Sequence, residues 1–205
     1  MSKKKRNGII IAVVVAVILM IIGGTGGSGN TKQDKIKEIK DNYSVNEKLA
    51  TSIYNASEKI GMHAEKYTSD QVVKSGNMNI LVPVTDYTNV MITHQGNKVT
   101  RIMTDGGNVV YTEDSHKKLS NYTVNPSLYS DVYVAAKNAV KDQLKAPDTA
   151  KFKDDFKVYR NGKKITFSGS VSAQNSFGAQ LTTSFTGSAE KDGDDYKVTN
   201  CTIVE

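Results

Sequence analysis

Apolar positions recur at helical spacing in two stretches of the chain and alternate at strand spacing after each. Leu49, Ile53, Ala56, Ile60, Ala64 and Tyr67 lie three or four residues apart, which predicts one face of an amphipathic helix. Ser44 followed three residues later by Glu47 has the form of a capping box and sets the start of that helix. Residues 77–113 then read as about three strands, with turns at Gln95-Gly96-Asn97 and Asp105-Gly106-Gly107. The order repeats further on. Tyr129, Val132, Ala136, Val140 and Leu144 predict a second helix, which Pro147 is expected to end because a residue before proline disfavours the α region. Asn161-Gly162 is a two-residue hairpin signal. Ile165, Phe167, Gly169, Val171 and Ala173 alternate on one strand, and Leu181, Thr183, Phe185, Gly187 and Ala189 on the next. Lys191 to Asp194 turns into a last strand, which makes about four in this part. Phe167 is expected inside, against the Val132–Val140 helix face. Phe152 and Phe156 are expected to return the chain to the core after Pro147.

The N-terminus has a different pattern. Lys3, Lys4, Lys5 and Arg6 precede an uncharged run from Gly8 to Gly24. As a helix those residues would span about 25 Å, close to the roughly 30 Å hydrocarbon core of a bilayer. The positive-inside rule keeps the basic cluster in the cytoplasm and sends the rest of the chain outside. A permanent signal anchor is the preferred reading, since the run is longer than a secretory h-region and no A-x-A site follows it. The alternative is secretion after cleavage near "GGTGGSG". No cysteine lies directly after the run, so there is no thiol in place for lipoprotein acylation.

The expected fold class is therefore α+β: an N-terminal transmembrane helix, then two small units, each one helix and a three- to four-stranded antiparallel sheet. The domains are 1–30 (basic stub, anchor and Gly-rich linker), 31–43 (a charged, solvated stalk), 44–120 (first unit) and 121–205 (second unit). Charge agrees with this division. Of 27 basic residues, four lie in the N-terminal cluster, and the rest of the chain carries 23 basic and 21 acidic residues, a net +2. That is not the basic face of a nucleic-acid binder, so no nucleic-acid partner is expected. The expected partners are membrane lipid, through residues 8–24, and an unknown protein or envelope component.

One resemblance rests on two segments. "LKAPDTAKF" (Leu144–Phe152) and "AQNSFGAQL" (Ala173–Leu181) resemble a small bacterial domain, mostly Gram-positive, found behind N-terminal anchors, lipoprotein signals or zinc-ribbon segments. The likeness covers about residues 128–204. It implies an extracytoplasmic helix-plus-sheet module and brings no catalytic residues with it.

Motifs for chemistry are sparse. His63, His94 and His116 show no H-x3-H or H-E-x-x-H spacing, so no metal site is expected. Cys201, the sole cysteine, falls in a predicted final strand and reads as an inert buried thiol. Ser115-x-x-Lys118 and Ser188-x-x-Lys191 match a serine-hydrolase pattern, but one falls in a polar connector and the other at a strand end, not at the start of a buried helix. "KDGDDY" lacks the spacing of a calcium loop. No catalytic, cofactor-binding or metal residues are expected, and no cofactor. The one candidate surface is Gln174, Asn175, Ser176 and Phe177: a polar tip, an aromatic, then Gly178. The resulting expectation is a membrane-anchored extracytoplasmic binding or assembly module of the bacterial cell envelope, not an enzyme. The alternative is a cell-wall hydrolase or peptidase whose site is assembled only in three dimensions.

Overall fold

The computed structural model describes residues 31–193 and 195–204. The basic cluster, the apolar run 8–24 and the linker lie outside the described residues. So do the expected transmembrane helix and its topology. No helix among the described residues is long and apolar enough to cross a membrane.

The expected α+β class is corrected. Strands make up 44% of the described residues against three α-helices, so the chain is mostly β. The helices are α1 (Lys32–Asn42), α2 (Glu47–Ile60) and α3 (Pro126–Lys141). Each sheet has five strands, more than the three or four anticipated. The first is an antiparallel meander, β1 (Val73–Ser75), β2 (Asn79–Thr85), β3 (Thr88–Gln95), β4 (Lys98–Thr104) and β5 (Val109–Thr112). The second contains β6 (Ala146–Phe152), β7 (Lys157–Asn161), β8 (Lys164–Gln174), β9 (Gln180–Asp192) and β10 (Asp195–Val204). Its order is β10-β9-β8, and β6 and β7 share the other edge of β8, β7 along one half and β6 along the other.

The extra first-sheet strands have simple causes. The β2–β3 turn at Asp86-Tyr87 has no glycine; Thr85 Oγ1 holds it by accepting the Tyr87 N–H at 3.2 Å. The β1 edge is three exposed residues with no alternation to read.

Helix α1 corrects the expectation of a solvated stalk over 31–43. Ile36 and Ile39, with Tyr43 just past the helix, repeat at three and four residues and are buried in the first core. Burial of this stripe against a sheet outweighs the polar majority of the helix, because apolar area removed from water contributes about 25 cal/mol per Å². The cap of α2 is also corrected. Asn46, not Ser44, accepts the Leu49 N–H at 3.0 Å, and Ser44 instead takes a left-handed turn (φ 48°) that closes α1. The apolar face of α2 is as the spacing predicts, with Leu49, Ile53, Ala56 and Ile60 buried.

Asn125 caps α3, and Pro126 occupies its first turn, where a missing N–H has no cost. Leu128, Val132, Ala136 and Val140 are buried against the second sheet. Pro147 does not end this helix. Regular structure stops at Lys141, and Pro147 lies within edge strand β6, where proline is tolerated because no ladder hydrogen bond is needed from its nitrogen. The β6–β8 pairing is interrupted between Ala146 and Lys151. The Thr149 hydroxyl fills the gap, accepting the Gln174 N–H at 2.9 Å and donating to Ala146 O at 2.7 Å.

Phe167 is fully buried and packs with Phe156 and Phe185. Glycines make room for these rings: Gly187 is the cross-strand partner of Phe167, and Gly169 of Phe185. Gly187 also lies beside a register shift between Val198 and Asn200, which brings the Asn200 carbonyl over it.

Residues 35–205 form one compact unit, and polar bonds tie the first sheet to the segment entering α3 and the β4–β5 turn to β7. Thr85 Oγ1 donates to Val124 O (2.7 Å) and Val124 N–H donates to Thr88 Oγ1 (2.9 Å). Asn108 Nδ2 donates to Arg160 O (3.2 Å), and the Tyr87 and Tyr129 rings stack with centroids 4.0 Å apart.

Candidate functional site

Helix α3 ends before the strands beneath it do. β8 and β9 run on past Lys141, and their inward alternation continues through the cross-strand pair Ala173 and Leu181. With no helix above them, these positions open into a cleft of about 500 Å³. One wall is Gln143, Leu144 and Lys145 beyond α3; the other is Cys201 to Ile203 on β10. Leu181, which the alternation predicts as inward, is half exposed for this reason.

The β8–β9 turn rises beside the cleft and carries all four candidate surface residues. Gln174 and Asn175 line the cleft, and Ser176 is exposed at the tip. Phe177 is 94% exposed, the most solvent-accessible large apolar side chain among the described residues. The turn holding it is well bonded. Asn175 Oδ1 accepts the N–H groups of Phe177 (2.9 Å) and Ala179 (3.0 Å). Asn175 N–H donates to Ala179 O and Gly178 N–H to Asn175 O. Gly178 adopts φ 80°, which a side chain would strain. The ring is thus presented on a fixed backbone.

Cys201 is half buried in the cleft wall. Burial pushes its thiol up, and a hydrogen bond from Gln143 offsets part of that effect. A thiol shifted that way is a poor nucleophile at neutral pH. Ser188 lies within β9, its hydroxyl 3.0 Å from Thr199 Oγ1, and Ser115 bonds to Thr112 in a turn, so neither begins a helix.

Two further groupings escaped the sequence. The junction of the sheets holds a cleft of about 360 Å³ lined by Tyr87, Tyr129, Phe156 and Tyr159, with Asp86 and Asp105 at its rim. Burial, reinforced by Tyr87, raises the Tyr129 phenol. Its members come from five separate segments, so no local pattern announces it. The second grouping is Glu58, His63 and Glu65, across the end of α2.

Comparison with family models, curated proteins and solved structures finds no match to this chain.

Proposed function

We propose that residues 31–205 act as a binding module outside the membrane, tethered by the apolar run 8–24, and that the β8–β9 tip is its contact surface. The partner is a protein segment that offers an apolar side chain to Phe177 and main-chain groups to the cleft. The observation that carries this reading is Phe177, 94% exposed on a turn fixed by hydrogen bonds. Exposing a large ring to water is unfavourable unless something covers it, and a rigid aromatic loses little freedom on binding. The cleft beside it supplies amides from Gln143, Gln174 and Asn175 and apolar surface from Leu144, Leu181 and Ile203. The open edge of β10 borders the same cleft and could pair with an extended strand. The resemblance of residues 144–152 and 173–181 to a bacterial extracytoplasmic domain supports the placement, and the raised thiol of Cys201 agrees with a binding rather than a nucleophilic role.

The test is site-specific photo-crosslinking in the source cell. A photoreactive residue at position 177 should yield one discrete crosslinked protein. The same residue at Lys163, in the hairpin at the opposite end of β8, should not. No product at 177, or the same products at both positions, would overturn the proposal.

A further inference from the structure

The chain reverses where α2 ends. Gly61 takes φ 74°, its N–H bonds to Glu58 O at 3.2 Å, and Met62 N–H reaches Ser57 O at 2.9 Å. A 3-10 turn over Ala64–Lys66 follows at once. This reversal brings Glu58, from the last turn of the helix, onto His63 and Glu65. Their ligand-capable atoms all lie within 4.8 Å of one another. Spacing alone hides the group, because Glu-x4-His-x-Glu crosses a helix end and fits no regular period.

Glu65 is the unusual member. Its side chain is 95% buried, at 5% exposure, beside Lys35 of α1. Oε1 faces Lys35 Nζ at 3.4 Å and His63 Nδ1 at 3.7 Å. Oε2 is buried and has no hydrogen-bond partner. A buried carboxylate oxygen is ordinarily matched by a donor or a cation. Lys35 serves only the other oxygen, and with Glu58 present the cluster holds two carboxylates against one ammonium.

We propose that Glu58, His63 and Glu65 bind a divalent transition-metal ion, zinc by the character of the donors. One imidazole and two carboxylates are an ordinary zinc set that leaves a position for water. Around zinc, ligand atoms at about 2.1 Å lie roughly 3.4 Å apart, so the present cluster must contract by a little over 1 Å. Glu58 and His63 are exposed and can turn inward, while Glu65 stays where it is. The ion would be held by the Glu65 carboxylate, whose Oε1 already faces His63 and whose Oε2 has no other partner.

The experiment uses the full-length protein in detergent, stripped with chelator and titrated with zinc chloride by calorimetry and by thermal unfolding. One zinc per chain should bind, and about 100 µM zinc should raise Tm by several degrees. His63→Ala and Glu58→Gln, both at exposed positions, should each weaken binding about ten-fold or more. Lys35→Met should strengthen it, because the ammonium repels the incoming cation. Absence of zinc uptake at 100 µM overturns the proposal. So does uptake unchanged in His63→Ala and Glu58→Gln, which would assign the ion to His94 or His116.

Discussion

Gly187→Ala tests how the second core is packed. An added Cβ would lie 2.3 Å from Phe167 Cζ, 2.7 Å from Phe167 Cε2 and 2.4 Å from the main-chain oxygen of Asn200. Comfortable carbon contacts are about 3.5–4.0 Å, so the ring and the carbonyl must each retreat by roughly 1 Å. The ring has nowhere to go, being fully buried with Phe156 and Phe185 against it. The carbonyl belongs to the irregular stretch of β10 and cannot rotate away as a side chain would. Overpacking typically costs about 1–3 kcal/mol, and a clash with main chain puts this substitution at the upper end, about 3 kcal/mol. Gly169→Ala meets only ring atoms, Phe185 Cζ at 2.8 Å and Phe156 Cδ2 at 3.2 Å, and should cost about 1–2 kcal/mol. Phe167→Leu added to Gly187→Ala should recover only part of the loss, because the Asn200 contact remains. Urea titration of the full-length protein, followed by circular dichroism with m held fixed, measures all three. A loss below about 1 kcal/mol for Gly187→Ala, or a larger loss for Gly169→Ala, would refute the packing argument.

Other expectations concern single side chains. Phe167→Ala should cost about 3–5 kcal/mol in the same titration, a large part of the stability of a small protein, whereas Phe177→Ala should leave the midpoint nearly unchanged. Burial pushes the Tyr43 phenol far above its ordinary value near 10, and its hydroxyl donates to Ala64 O at 3.3 Å. Because the unfolded chain ionises first, the contribution of Tyr43 is complete below about pH 10 and is lost as pH rises beyond it. Tyr43→Phe should thus resist alkaline unfolding better than the native chain, as read from melting curves at pH 8 and pH 11. The raised thiol of Cys201 should react slowly with iodoacetamide at pH 8, and Gln143→Ala, which removes the hydrogen bond that lowers it, should slow the reaction further.

What could be read from the sequence divides along physical lines. The buried faces of α2 and α3 and the Asn161-Gly162 hairpin were legible because each is written in local spacing. Phe167 could be placed for the same reason. Helix α1 was not, since two isoleucines and a tyrosine in a lysine-rich segment look solvated until a sheet is present to cover them. β6 was hidden because proline and two charged residues, Asp148 and Lys151, are poor strand formers, and only pairing along β8 makes the segment extended. The tip at Gln174–Phe177 was legible as a turn, but the cleft beside it depends on where α3 stops relative to the strands. The Glu58–His63–Glu65 group depends on a chain reversal whose one local sign is Gly61.

The interrupted pairing of β6 with β8 also bears on motion. Because one threonine hydroxyl replaces ladder bonds there, the Gln174 amide is protected by a side chain that can rotate, not by a neighbouring strand. Local opening at this point should require far less than global unfolding, so Gln174 should exchange its amide hydrogen much faster than Phe167 or Val171 in the centre of the same strand. The chain therefore has a place where β6 can detach from the β8 end that leads into the Phe177 turn while the aromatic core stays closed. Replacing Thr149 by valine would remove the hydroxyl at nearly constant shape and speed exchange at Gln174 alone.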